Sequence, residues 1–104
     1  MDAIQQISPV VKFHLYTSVP EWFFADSWVQ DWTYHHYVTD IGMVQKTALR
    51  EDIDATLAQL ARFIPFPVGH ITRFVDELTA LSVNLILCDI SPLGLQVAAQ
   101  AGIP

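Results

Sequence analysis

Two polar side chains occupy the point where the most continuous apolar run of the chain gives way to a helical pattern. Asp89 follows the apolar residues 85–88, and Ser91 stands two positions later, immediately before Pro92. Open α/β sheets bind ligands in the crevice beyond the carboxyl ends of their strands, where a carboxylate can hold a ligand hydroxyl or orient a base. The alternative role is structural, because Asp89 and Ser91 can instead satisfy N–H groups of the turn and of the helix start.

A dense group of aromatic side chains occupies residues 22–37 and offers a second kind of chemistry. Its members are Trp22, Phe23, Phe24, Trp28, Trp32, Tyr34 and Tyr37. Such rings can stack on the face of a small-molecule acceptor, and packing in a core or between domains is the alternative. The acidic residues 51–54 resemble paired carboxylates for acid–base catalysis, but their place at a helix start favours capping and first-turn acids.

The histidines do not predict a metal site. His35 and His36 are adjacent, and neighbouring side chains on a strand point to opposite faces, so the two cannot easily share one ion. His14 and His70 add no ligand-like spacing. We expect surface or hydrogen-bonded roles for all four, and any one of them could still act as an acid or a base.

Composition narrows the possible partners and the compartment. The 11 acidic residues against five Lys and Arg give a net charge of −6, so no positive field attracts nucleic acid, and the scattered cations do not suit a membrane surface. The single cysteine, Cys88, lies in an apolar run where thiols are usually buried, which fits a reducing cytoplasm. No signal peptide and no run of roughly 18 apolar residues is present.

Hydrophobic periodicity and turn residues predict the elements that position these groups. The predicted strands span residues 10–16, 33–39 and 84–88; the predicted helical segments are a short turn opened by Pro20, an Asp52-capped helix to residue 64, a helix over 68–81, and a helix over 93–101 capped by Ser91 and stopped by Gly102. The run at 84–88 suits a parallel strand covered on both faces. We therefore predict an α/β fold.

The last residues, Gly102, Ile103 and Pro104, are typical of the entry into a further strand. A helix without its following strand leaves one sheet edge unpartnered. No linker, repeat or low-complexity tract suggests a second domain. We expect residues 1–104 to be part of a single α/β domain that continues into a further strand.

Three segments carry a resemblance to a known family. Residues 87–104 (LCDISPLGLQVAAQAGIP) are similar to the strand, Asp-x-x-Pro turn, Ala-rich helix and Gly-Ile-Pro exit of the N-terminal half of GT-B glycosyltransferases. Residues 17–24 (TSVPEWFF) and 40–45 (DIGMVQ) resemble a narrower branch, the glycosyltransferase-like segments that occur alone or ahead of sugar kinases such as L-arabinokinase.

The resemblance implies that residues 1–104 are one incomplete Rossmann-like domain whose first and later strands are missing. It also implies an acceptor-side half of a glycosyl-transfer site, with a nucleotide-sugar donor and a sugar or small-molecule acceptor as partners and no separate cofactor. The expected substrate-binding residues are Thr17, Ser18, Trp22, Asp89 and Ser91. The family's opening strand and Gly-His-Gly loop, which often supplies the catalytic histidine in inverting members, are not in this sequence. We therefore expect the 104 residues alone to be inactive. The alternatives are a non-catalytic sugar-binding or regulatory module linked to a sugar kinase, and an unrelated small α/β domain.

Overall fold

The chain alternates helices with short strands. In chain order the elements are α1 (Asp2–Ile7), β1 (Phe13–Thr17), α2 (Trp22–Ala25), β2 (Trp32–His36), β3 (Gln45–Thr47), β4 (Arg50–Glu51), α3 (Ile53–Phe63), α4 (Val68–Ala80) and α5 (Pro92–Ala101). The computed structural model describes residues 1–104, which divide into two compact units, Met1–Thr39 and Asp40–Pro104. The predicted mixed α/β class is confirmed, with a small parallel sheet and helices. That residues 1–104 form one domain stays a prediction.

A two-stranded parallel sheet organises the unit Met1–Thr39. β1 and β2 pair with Phe13 opposite Trp32 and Thr17 opposite His36, so both strands end at the same edge. Their β-branched and aromatic composition predicted both strands, with bounds that differ by a few residues. Phe24 of α2 lies 6.3 Å, centroid to centroid, from the ring of Trp32. α2 therefore covers one face of the sheet with aromatic rings.

Helix α1 was not predicted, and one glutamine fastens it. Gln5 Nε2 donates to the carbonyl oxygen of Val11 at 3.0 Å, and Gln5 Oε1 accepts from the backbone N–H of Gln30 at 2.8 Å. Gln5 Nε2 also donates to the carbonyl oxygen of Gln30. A helix of six residues is shorter than the window over which helical periodicity is recognised.

The unit Asp40–Pro104 begins with a hairpin and a capped helix. β3 and β4 pair antiparallel, with a register irregularity between Gln45 and Thr47. Asp52 Oδ1 accepts from the N–H of Ala55 at 3.0 Å, which confirms the predicted N-cap of α3. Lys46 Nζ lies 3.5 Å from the carboxylate of the same Asp52. The acidic residues 51–54 thus start a helix, as the capping interpretation predicted.

The core of this second unit lies between α4 and α5. Its buried residues are Phe66, Ile71, Phe74, Leu78, Leu93 and Val97. The 3.6-residue spacing on α4 predicted the buried face of that helix. The apolar face of α3 is by contrast exposed, since Ile53 is 66% and Leu57 58% accessible.

The predicted buried strand at 84–88 is wrong. Residues 84–88 belong to neither sheet, and their backbone–backbone hydrogen bond runs from the Ile86 N–H to the Pro104 carbonyl oxygen at 2.8 Å. Leu85 and Leu87 are 57% and 72% accessible. An apolar run becomes a ladder strand only where another strand pairs with it, and none of the four strands does so here.

Candidate functional site

Hydroxyl, phenol and imidazole groups lie at the carboxyl edge of the β1–β2 sheet, and an exposed indole follows in α2. We call Thr17, Ser18, Trp22, Tyr34 and His36 the carboxyl-edge cluster. Thr17 ends β1 and His36 ends β2, and the two are directly opposite in the parallel register. This edge is where open parallel sheets bind ligands. Three of the five predicted substrate-binding residues belong to the cluster.

The Tyr34 hydroxyl joins the ends of the two strands and contacts the imidazole of His36. It donates to the carbonyl oxygen of Val19 at 2.8 Å and lies 3.2 Å from His36 Nδ1. A phenol has one hydrogen to give, so in the His36 tautomer that has Nδ1–H the imidazole donates to the Tyr34 oxygen. Nε2 of a neutral His36 is then unprotonated, on an exposed side chain. An imidazole nitrogen in that state can accept a proton from a ligand hydroxyl.

Thr17 and Ser18 present hydroxyl groups at the end of β1. Thr17 Oγ1 accepts from the N–H of Val19 at 3.1 Å, which fixes the bend after the strand. The hydrogen of that hydroxyl is still available for a ligand oxygen, because a hydroxyl both donates and accepts. Ser18 is exposed in the bend. Two hydroxyl donors thus follow one another at the sheet edge.

Trp22 is an exposed ring supported from behind by other rings. Trp22 is 71% accessible, and its ring meets that of Phe23 edge to face with centroids 6.2 Å apart. Phe23 in turn meets Phe24 at 5.5 Å, and Phe24 lies 6.3 Å from the ring of Tyr34. The aromatic series connects the exposed indole to the sheet. A supported indole face of this kind suits stacking against an apolar ligand face.

Asp89 and Ser91 lie in the other unit and divide between the two roles considered for them. Ser91 is 7% accessible, and its Oγ accepts from the N–H of Gly94 at 3.0 Å, so its oxygen caps α5. Pro92 at the first helical position and Gly102 with φ of 67° at the C-cap complete the predicted boundaries. Asp89 is exposed in the bend before the helix. Asp89 therefore remains the member of this pair whose side chain faces solvent.

Cys88 departs from the expectation of a buried thiol, because the residue is exposed. Its Sγ lies over α5, only 2.5 Å from where a Cβ on Gly94 would stand, so the absence of a side chain at Gly94 makes room for the sulfur. Partial burial of the thiol raises its pKa. The reactive thiolate is accordingly a smaller fraction than in a free cysteine at the same pH.

We therefore expect iodoacetamide to alkylate Cys88 more slowly than it alkylates N-acetylcysteine amide at the same mildly alkaline pH. Timed mass spectrometry of the native chain gives the rate, and the chain in concentrated urea is the control, since unfolding removes the desolvation. A native rate above that of the unfolded chain would contradict the assignment.

The histidines are arranged differently from the sequence-based expectation in one respect. His35 and His36 alternate along β2 and point to opposite faces, as predicted. His14 Nδ1, however, lies 3.3 Å from His35 Nε2, a proximity that follows from the parallel register and has no signature in the spacing of residues 14 and 35. No group of three or more His, Cys, Asp or Glu residues is placed to hold a metal ion.

Comparisons with known proteins add no relative to this description. No protein family, no curated protein and no solved structure matches the chain. Among the helices, none combines the length and apolar character needed to cross a bilayer.

Proposed function

We propose that the chain forms the acceptor side of a glycosyl-transfer site that uses a nucleotide-activated sugar. The observation that carries the proposal is the carboxyl-edge cluster, in which the hydroxyls of Thr17 and Ser18 and the imidazole of His36 lie at the strand ends and the exposed indole of Trp22 follows in α2, connected to Tyr34 through the rings of Phe23 and Phe24. Sugars present both an apolar ring face and a periphery of hydroxyls. An indole together with hydroxyl donors matches those two features.

The cluster has a group for each task on the acceptor side. Trp22 stacks on the acceptor ring, and Thr17 and Ser18 bond its hydroxyls. Nε2 of His36 takes the proton from the attacking hydroxyl as the new glycosidic bond forms, while Tyr34 holds the tautomer through Nδ1–H. The nucleotide-sugar donor is the second partner, and the nucleoside diphosphate leaves with the electrons of the broken bond.

The finer assignments belong to the same proposal. The β1–β2 pair with α2 corresponds to part of a Rossmann-like sheet. Asp89, exposed just before α5 in the unit Asp40–Pro104, is a separate candidate for a ligand contact. The solitary cysteine suits the cytoplasm, where nucleotide sugars occur. Residues 84–88 supply no support, because they do not form the interior strand that the resemblance implies.

Replacing Trp22 by alanine tests acceptor binding. We expect the mutation to weaken the binding of the best monosaccharide in a panel about ten-fold, or about 1.4 kcal/mol, because the stacking face is removed. Saturation-transfer NMR with the 104-residue chain measures the affinity. Trp28→Ala is the matched control, since Trp28 is 87% accessible in the same unit but outside the cluster. Equal losses in both variants, or no sugar binding at all, would argue against the proposal.

Catalysis is tested separately on the protein that carries these residues. A panel of nucleotide sugars is assayed for donor hydrolysis and transfer, with His36→Gln as the variant expected to lower turnover while leaving acceptor binding intact. Sugar binding without turnover of any donor would instead support the non-catalytic module linked to a sugar kinase. The absence of both sugar binding and donor turnover would contradict both functions.

A further inference from the structure

One face of the β1–β2 sheet carries polar aromatic residues in an arrangement independent of the carboxyl-edge cluster. Alternation along the parallel register puts His14 and Tyr16 of β1 on the same face as Thr33 and His35 of β2. His36 and the cluster's Tyr34 lie on the opposite face. His14 is directly opposite Thr33, so its contact with His35 is the diagonal one, within reach of long side chains.

The two imidazoles approach through their nitrogens. His14 Nδ1 and His35 Nε2 are 3.3 Å apart, with ring centroids at 5.6 Å and ring planes inclined by 36°. Bonds of about 2.0–2.1 Å from two imidazole nitrogens to one ion, at a tetrahedral angle, place the nitrogens about 3.3 Å apart. The observed separation matches that of two nitrogens on a tetrahedral ion such as Zn²⁺, and it is also the length of the hydrogen bond between the two rings.

Tyr16 holds one of these rings in place. Its ring stacks on His35 with centroids 4.3 Å apart and planes 4° from parallel. Such support keeps a ligating nitrogen oriented and lowers the entropy lost on binding. Both histidines are half-buried on strands rather than on a mobile loop, which preserves the spacing between the two nitrogens.

We propose that His14 and His35 form a two-histidine binding site for a divalent transition ion such as Cu²⁺, Ni²⁺ or Zn²⁺. A small rotation of each ring brings both lone pairs onto an ion lying beside the line between the nitrogens. The hydrogen that bridges them moves to the other nitrogen of its own ring, so both imidazoles bind as neutral ligands. Water completes the coordination, which leaves positions open for a further ligand.

Ligand type and charge favour this class of ion over others. Imidazole suits Zn²⁺, Cu²⁺ and Ni²⁺, whereas Mg²⁺ and Ca²⁺ prefer oxygen ligands. The chain's net charge of −6 attracts cations in general, so Ca²⁺ serves as the measure of non-specific binding. The affinity order expected for the site is Cu²⁺ above Ni²⁺ and Zn²⁺.

Calorimetric titration of the chain without a polyhistidine tag tests the site. The Cys88→Ser variant is used as background, since its thiol would compete for the same ions. We expect one Ni²⁺ or Zn²⁺ per chain with no heat from Ca²⁺, and an affinity at least about ten-fold lower in His14→Gln and in His35→Gln. His36→Gln and His70→Gln are matched controls that should bind as the background does.

Paramagnetic broadening provides a readout that needs no variant at these positions. On addition of substoichiometric Ni²⁺, the imidazole signals of His14 and His35 should broaden before those of the other two histidines. Far-UV circular dichroism checks that each variant is folded. Retained affinity in folded His14→Gln and His35→Gln, or earlier broadening at His36 or His70, would overturn the proposal.

Discussion

Ile71→Ala destabilises the unit Asp40–Pro104 by about 2–5 kcal/mol, the range for truncating a large aliphatic side chain in a packed core. Ile71 is 1% accessible on α4, in the unit whose other fully buried large side chains are Leu93 and Val97 of α5. The mutation loses the transfer free energy of the removed carbon atoms. It also leaves a cavity whose lining residues lose their contacts with those atoms. Urea unfolding monitored by far-UV circular dichroism gives the change in free energy.

The matched control is the same substitution at the first residue of α3. Ile53 is 66% accessible, so little apolar burial is lost there, and alanine is the better helix former. We expect Ile53→Ala to change the free energy of unfolding by about 0.5 kcal/mol or less. A large loss at Ile53 would show that the α3 face is covered, and a loss at Ile71 as small as the one expected at Ile53 would show that the packing described for α4 and α5 does not hold.

Ser91→Ala lowers the stability of the same unit by about 1–2 kcal/mol, because it removes the N-cap of α5. The Ser91 oxygen accepts from the N–H of Gly94 at 3.0 Å, and the residue is 7% accessible. Alanine leaves that N–H without its partner at a site where water has little access. Thermal or urea unfolding of the variant measures the loss.

Two further variants separate capping from a general effect of removing a hydroxyl. Ser91→Asp retains a capping oxygen and should recover part of the stability. Thr72→Ala removes an exposed hydroxyl that donates to the Val68 carbonyl oxygen within α4, and we expect no loss because alanine is favoured in a helix interior. A loss at Thr72 equal to that at Ser91 would contradict the assigned role of the cap.

Local signals in the sequence predicted the three longest helices, α3, α4 and α5, well. The Asp52 cap gave the start of α3, and Ser91, Pro92 and Gly102 gave both ends of α5, because caps and terminators act within one helical turn. Strand pairing is different, since the partner lies elsewhere in the chain. The apolar run at 84–88 has the composition of a buried strand and finds no paired neighbour. The hairpin of β3 and β4 was missed for the converse reason, since short polar strands have no apolar alternation.

The same distinction applies to the candidate site. Thr17, Ser18 and Trp22 were expected from the resemblance of residues 17–24, and Trp22 also from the aromatic group at residues 22–37. The partnership of His36 with Tyr34 depends on side-chain geometry at the strand end. The pairing of His14 with His35 depends on the register of two strands whose paired residues are far apart in sequence. Hydrophobic periodicity does not encode that register, so neither side-chain pairing could be predicted from the sequence.

The distribution of chromophores between the two units gives each its own spectroscopic signal. All three tryptophans and all three tyrosines fall within Met1–Thr39, and the aromatic residues of Asp40–Pro104 are phenylalanines apart from its histidine. Indole fluorescence therefore reports the first unit, while the ellipticity of the three longest helices, α3, α4 and α5, reports the second. One denaturant titration of the unmodified chain, followed by both signals, distinguishes a single cooperative transition from two successive ones.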